Sequence, residues 1–182
     1  VTPKIIGSIL LAGSLSGFLF EIPSGYMSDK IGHKLTLVIS RILMLMSTVF
    51  SLVANDVIFL ILGALFLSAS AAFQSGTGSA FMYETLKGLK REHDYVRVMG
   101  KISSIGFVVP IIFMVLVPFL VSVSYKIPFL VALVIDVIGL LAVISLVVPP
   151  VSQEHIEEIG ATNFKQALQE GYRLNFFSIV LF

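Results

Sequence analysis

The 182-residue chain contains no cysteine, which removes disulfide frameworks, thiol catalysis and Cys-ligated zinc or iron–sulfur centres. Charge is also scarce. Asp, Glu, Lys and Arg make up 13% of the residues against 57% hydrophobic ones, and the mean hydropathy of +1.00 lies outside the range of soluble proteins. Eleven acids nearly cancel twelve bases, leaving a net charge of +1, so neither a basic nucleic-acid binder nor an acidic tail protein is expected. No H-E-x-x-H pair is present, the three histidines (His33, His93 and His155) all fall between apolar runs, and no Gly-rich phosphate loop occurs. The sequence therefore predicts no enzyme, no metal and no cofactor. Glu154, His155, Glu157 and Glu158 cluster locally and read as a solvated acidic linker.

What remains is a membrane protein. Residues 57–83 and 102–125 carry no Asp, Glu, Lys or Arg over 27 and 24 positions, each long enough to cross about 30 Å of hydrocarbon. Charged or Pro/Gly-bearing breaks divide the chain into five complete spans, A (5–27), B (35–54), C (57–83), D (102–123) and E (127–149). A sixth, F, starts near residue 174. The fold class is all-α, a polytopic helical bundle. The chain opens on Val1 and ends at Phe182 inside an apolar run, and it reads as a fragment of a longer protein.

Sorting bases by side places Lys30, Lys34, Lys87, Lys90, Arg91, Arg97, Lys101, Lys165 and Arg173 on one face, with Lys4 and Lys126 on the other. This asymmetry assigns the first face to the cytoplasm. Span E carries Asp136 near its middle, but its 16 Ile, Leu, Val and Phe residues between Ile127 and Val148 contribute roughly −8 kcal/mol against roughly +3 for the acid, so insertion is favoured. Two connecting stretches are amphipathic. In residues 163–173, Phe164, Leu168 and Tyr172 share one face behind the cap Asn163, and residues 86–99 place Leu86, Leu89, Val96 and Met99 among bases. Both predict short helices lying in the membrane surface.

Between spans A and B the chain reads Gly25-Tyr-Met-Ser-Asp29-Lys30-Ile-Gly32-His33-Lys34. This G-x-x-x-D-[RK]-x-G-x-[RK] pattern resembles the signature loop of the major facilitator superfamily of secondary transporters. Span C ends Ser75-Gly76-Thr77-Gly78-Ser79-Ala80-Phe81-Met82-Tyr83-Glu84-Thr85-Leu86, similar to a fourth-helix segment, S-G-x-x-x-A-x-x-Y-[DE]-x-L, of one branch of that superfamily. The resemblance covers essentially the whole chain and aligns spans A to F with the second to sixth helices and the start of the seventh. It implies a transporter half (residues 1–149), a cytoplasmic linker (150–173) and the first helix of a C-terminal half (174–182). It also implies alternating access around a central site, with a small-molecule substrate and proton coupling left open. The lipid bilayer and the C-terminal half would be its structural partners, in the plasma or bacterial inner membrane. Asp29 would act as a cytoplasmic latch toward a helix start in the other half, with Lys30 and Lys34 around it. Gly25 would allow close helix approach and Gly32 a positive φ.

Departures from the pattern are as informative. His33 stands where the superfamily usually has arginine and reads as a solvated loop base, with pH sensitivity of the latch as the alternative. Ser68 to Phe73 holds no base, and span D lacks G-x-x-x-G-P, which argues against proton–drug antiport. Glu21 and Arg41 lie about 12 and 10 Å inside the membrane, so these matched depths predict an ion pair, with a protonatable coupling role for Glu21 as the alternative. Asp136 reads as a packing hydrogen bond. Gln74, Ser75, Thr77 and Tyr83 on span C are the candidate cavity residues, and Glu84 is expected to pair with His33 or Lys34. The competing reading is a small channel or membrane scaffold, although no filter sequence is apparent.

Overall fold

The computed structural model describes residues 3–147. These form five long helices, α1 (Pro3–Ile31), α2 (His33–Leu52), α3 (Val57–Gly88), α4 (Tyr95–Val123) and α5 (Ile127–Ile144), with one 3₁₀ turn at Glu92–Asp94. All five are long and apolar enough to cross a membrane. The breaks are short because single residues make them. Gly32, at φ 90° and ψ 151°, separates α1 from α2 in a conformation open only to glycine, as its place in the loop predicts. Asp56 is extended before α3, and Pro128 sits in the first turn of α5.

Helix α3 is the hub, with α1 and α2 packed along it and α5 on the far side of α2; α4 touches the bundle lightly and buries none of its residues. The interior is unusual for a soluble eye. Among the described residues eleven polar side chains are buried against four apolar ones, Ala69, Phe73, Phe81 and Leu86, while the large apolar side chains face outward, as a hydrocarbon solvent requires. The buried hydroxyls hold the helices together. Ser40 Oγ donates to the Ser70 carbonyl and Ser70 Oγ to the Ser40 carbonyl, each at 2.9 Å. Two turns on, Ser47 Oγ donates to the Gly63 carbonyl at 2.8 Å. On the parallel α1–α3 seam, Ser16 Oγ donates to the Leu65 carbonyl at 3.1 Å, and Ser24 Oγ lies 3.0 Å from that of Ala72. Close approach follows from small residues: a Cβ on Gly63 would stand 2.9 Å from Ser51 Oγ, and one on Gly13 3.0 Å from Ser68 Oγ.

Helix α5 is anchored by Asp136, which is buried and accepts from Thr48 Oγ1 at 2.6 Å, the packing hydrogen bond expected of it. The surface helix expected over 86–99 does not form. Leu86 is buried, so α3 continues to Gly88 and closes with Arg91 N–H on the Leu86 carbonyl (2.8 Å) and Lys90 N–H on that of Lys87 (2.9 Å). This is a Schellman cap whose left-handed residue is Lys90, at φ 57°. Arg91 and Asp94 then pair at 2.7 Å across the turn and α4 begins at once. The amphipathic pattern came from two helix ends meeting in a turn. The helix expected over 163–173 and span F lie outside the described residues.

Two stability changes follow. Lys90→Gly removes the left-handed penalty and is expected to stabilise the protein by about 0.5 to 1 kcal/mol, seen as a higher midpoint in thermal unfolding of the detergent-purified protein. Thr48→Val keeps the shape but leaves the buried carboxyl of Asp136 without its donor. It should cost about 1 kcal/mol, and an unchanged midpoint would mean that the α2–α5 contact does not depend on this bond.

Candidate functional site

The signature loop is built around a buried histidine. His33 opens α2 one residue after Gly32 and is 7% exposed, so the expectation of a solvated loop base is corrected. Its Nδ1 lies 2.6 Å from Ser28 Oγ on α1, and its Nε2 lies 3.1 Å from Glu84 Oε1 on α3. One imidazole thus ties three helices at the end of the bundle where the bases gather. Of the two partners considered for Glu84, His33 is the one it meets. Lys30 turns back on its own helix, with Nζ 3.0 Å from the Tyr26 hydroxyl, and Asp29 is exposed with no ion pair or hydrogen bond among the described residues. Gly25 does not mediate a close approach, since a Cβ there would meet nothing within 4 Å.

Between α1 and α3 runs an open groove. Its wider part, about 480 Å³, is lined by apolar residues including Ile9, Leu10, Leu67 and Ala71 and by Ser14, Ser68 and Ser75; Gly13 and Gly17 keep it open. The second part, about 290 Å³, continues past Ser24, Gly25, Ser28 and Thr77 to Asp29 and His33. Glu21 lines both parts and stands ten residues before the end of α1, about 15 Å along its axis. Among the described residues no Lys or Arg lines either part.

The predicted Glu21–Arg41 ion pair is absent among the described residues. Matched depth is insufficient because direction around the helix also counts. Ser40 faces α3, so Arg41, about 100° further round α2, reaches toward α5, where its Nη1 lies 3.7 Å from a Cβ built on Gly139. Glu21 instead faces the groove. Of the four candidate cavity residues, Ser75 and Thr77 line the groove, Thr77 being buried. Gln74 lines neither part, and Tyr83 packs edge-on against Tyr95 of α4 with ring centroids 5.6 Å apart. The α1 contribution, Ser14, Gly17 and Ser24, was not anticipated. Its only signal was the recurrence of small residues at Gly13, Gly17, Ser24 and Ser28, steps of four or close multiples that keep one helix face narrow.

The family model of the Major Facilitator Superfamily matches residues 1–182. The chain belongs to the Major Facilitator Superfamily. It is therefore a multi-pass integral membrane protein of a transporter family, and the loop from Gly25 to Lys34 and the α3 segment ending at Leu86 are the parts through which that membership was visible. No curated protein and no solved structure gave a match. Within this superfamily chain the His33 joint is the best-packed part of the signature loop. Glu84→Ala removes one of its two partners and is expected to cost about 1 to 3 kcal/mol, measured as a lower unfolding midpoint. Equal midpoints would show that the joint contributes nothing to holding α1, α2 and α3 together.

Proposed function

We propose that the chain is most of the N-terminal half of a secondary transporter that moves a small solute by alternating access, with the α1–α3 groove as its share of the solute path. The observation that carries this reading is the groove itself, a concave, mostly apolar channel with a few convergent polar groups. It runs from Ile9 in the first third of α1 to the signature loop. In this reading residues 150–173 link to a C-terminal half that begins at 174–182, and the bases of the Asp29 end face the cytoplasm of a plasma or bacterial inner membrane. Asp29 is the latch. Its exposed carboxylate closes against a helix N-terminus of the other half, an interaction of about 0.3 to 1 kcal/mol at an exposed site and up to about 2 when partly buried. Such an energy biases a two-state equilibrium without locking it. Glu21 is the groove acid common to both parts, and coupling to protons would run through it.

The absence of cysteine from all 182 residues makes a direct test available. Ser75→Cys in the intact protein, with any cysteine outside these 182 residues replaced by serine, reacted with a membrane-impermeant maleimide applied to one side at a time, is expected to label from either side. Asp29→Asn should raise labelling from the Asp29 side by about two- to thirtyfold, the range that the latch energy allows. Labelling from one side only would remove alternating access. Equal, unrestricted labelling from both sides with no effect of Asp29 would move the protein to a channel.

A further inference from the structure

We infer that the α1–α3 groove binds an amphipathic organic cation, with the Glu21 carboxylate as its counter-ion; this rests on the reading of the groove as the solute path. Three observations converge. Glu21 lines both parts of the groove and makes no ion pair or side-chain hydrogen bond among the described residues. The base at matching depth, Arg41, is turned toward Gly139 on α5, and Lys30 is turned back onto Tyr26. Among the described residues the only other charged one along the groove is Asp29, with His33 beside it committed to Ser28 and Glu84.

With these two acids and no Lys or Arg among the described lining residues, the groove is electronegative from Glu21 to Asp29, and low-dielectric walls focus that field. An anionic solute is opposed by Glu21, and a neutral one leaves a carboxylate without a partner inside the membrane, which is unfavourable. A bare metal ion fits poorly, because hard cations need six or more oxygen ligands, and no group of three or more Asp, Glu or His that could hold a metal occurs among the described residues. The walls offer apolar area instead. Ile9, Leu10, Leu67 and Ala71 present hydrocarbon beside the carboxylate, and Ser14 and Ser68 hold hydroxyls that bond to nothing else among the described residues. A ligand with a ring or alkyl body and one positive centre satisfies all of these groups together.

The test uses the intact protein in detergent and radiolabelled tetraphenylphosphonium, with tetraphenylborate as the probe of the same shape and opposite charge. Saturable binding of the cation and none of the anion is expected. Glu21→Gln should weaken the cation's Kd by about tenfold or more, while Glu21→Asp stays within a few-fold of the parent. A readout on the unaltered protein guards against misfolding of the variants: tetraphenylphosphonium should protect Glu21 from modification by a hydrophobic carbodiimide, followed by mass spectrometry. Absence of saturable cation binding, equal binding of the borate, undiminished binding in Glu21→Gln, or unprotected Glu21 would each overturn the assignment. Counterflow in proteoliposomes separates it from the carrier reading. Glu21-dependent binding without counterflow would keep the cation site and remove the carrier, whereas counterflow of a neutral solute with no cation binding would keep the carrier and remove the cation site.

Discussion

The packing of α1 and α2 on α3 depends on hydroxyl groups bonding to the backbone of a neighbouring helix. Lipid tails are as apolar as leucine, so burial of hydrocarbon supplies little force between helices in a bilayer, and close packing with interhelical hydrogen bonds takes its place. The reciprocal Ser40–Ser70 pair and the Ser47 bond to Gly63 show how this operates. Each requires the donor helix to come near enough for a short side chain to reach a main-chain carbonyl, and only small neighbours permit that distance. A serine among bulky neighbours would fall short of its acceptor, and small residues without a hydroxyl would bring helices together with nothing to hold them.

Helix α3 is central because it offers such contacts on two faces. Gly63 and Ser70 meet α2, and Leu65 and Ala72 present carbonyls to α1. Its alignment is antiparallel to α2 and parallel to α1, and the two seams behave differently. Along α2 the hydroxyls bond in both directions and the surfaces close. Along α1 the Ser16 and Ser24 bonds hold a seam, and Gly13, Gly17, Ala71 and Ala72 also line the opening beside it, so small residues there serve both a contact and a groove. The groove can carry a charged group because α1 directs Glu21 into it and α2 directs Arg41 away.

How much of this could be read from the sequence depended on whether the feature was linear or angular. Spans, breaks and the positive φ at Gly32 are written in runs and single residues, and they emerged at nearly the expected positions. Asp136 was legible as a hydrogen-bonding group because a lone acid in an apolar helix has few other options. Its partner Thr48, 88 positions away, was not. The Glu21–Arg41 pairing failed for an angular reason, since depth is countable along the chain whereas rotation about the axis is fixed by what else packs there. The supposed surface helix at 86–99 failed because two helix ends and a Schellman turn together mimic one amphipathic period. Ser75 and Thr77 line the groove and Gln74 does not for the same cause: adjacent residues on a helix point about 100° apart, and composition alone cannot choose among them.

The histidine in the signature loop draws these strands together. An arginine at this position would bring five N–H donors on a long stem, a group suited to reaching out. Imidazole is short and flat and has only two nitrogens, and both are taken, one by Ser28 on α1 and one by Glu84 on α3. With Gly32 setting the turn immediately before it, His33 makes the start of α2 a fixed corner of the bundle. The consequence is a division of labour within six residues. His33 is committed inward and holds three helices in register, while Asp29, one turn earlier and on the open side, is left exposed without a partner among the described residues. In the proposed carrier, a loop whose histidine is fixed and whose Asp29 is exposed would meet the other half without deforming its own, the mechanical condition for two rigid bodies to rock against each other.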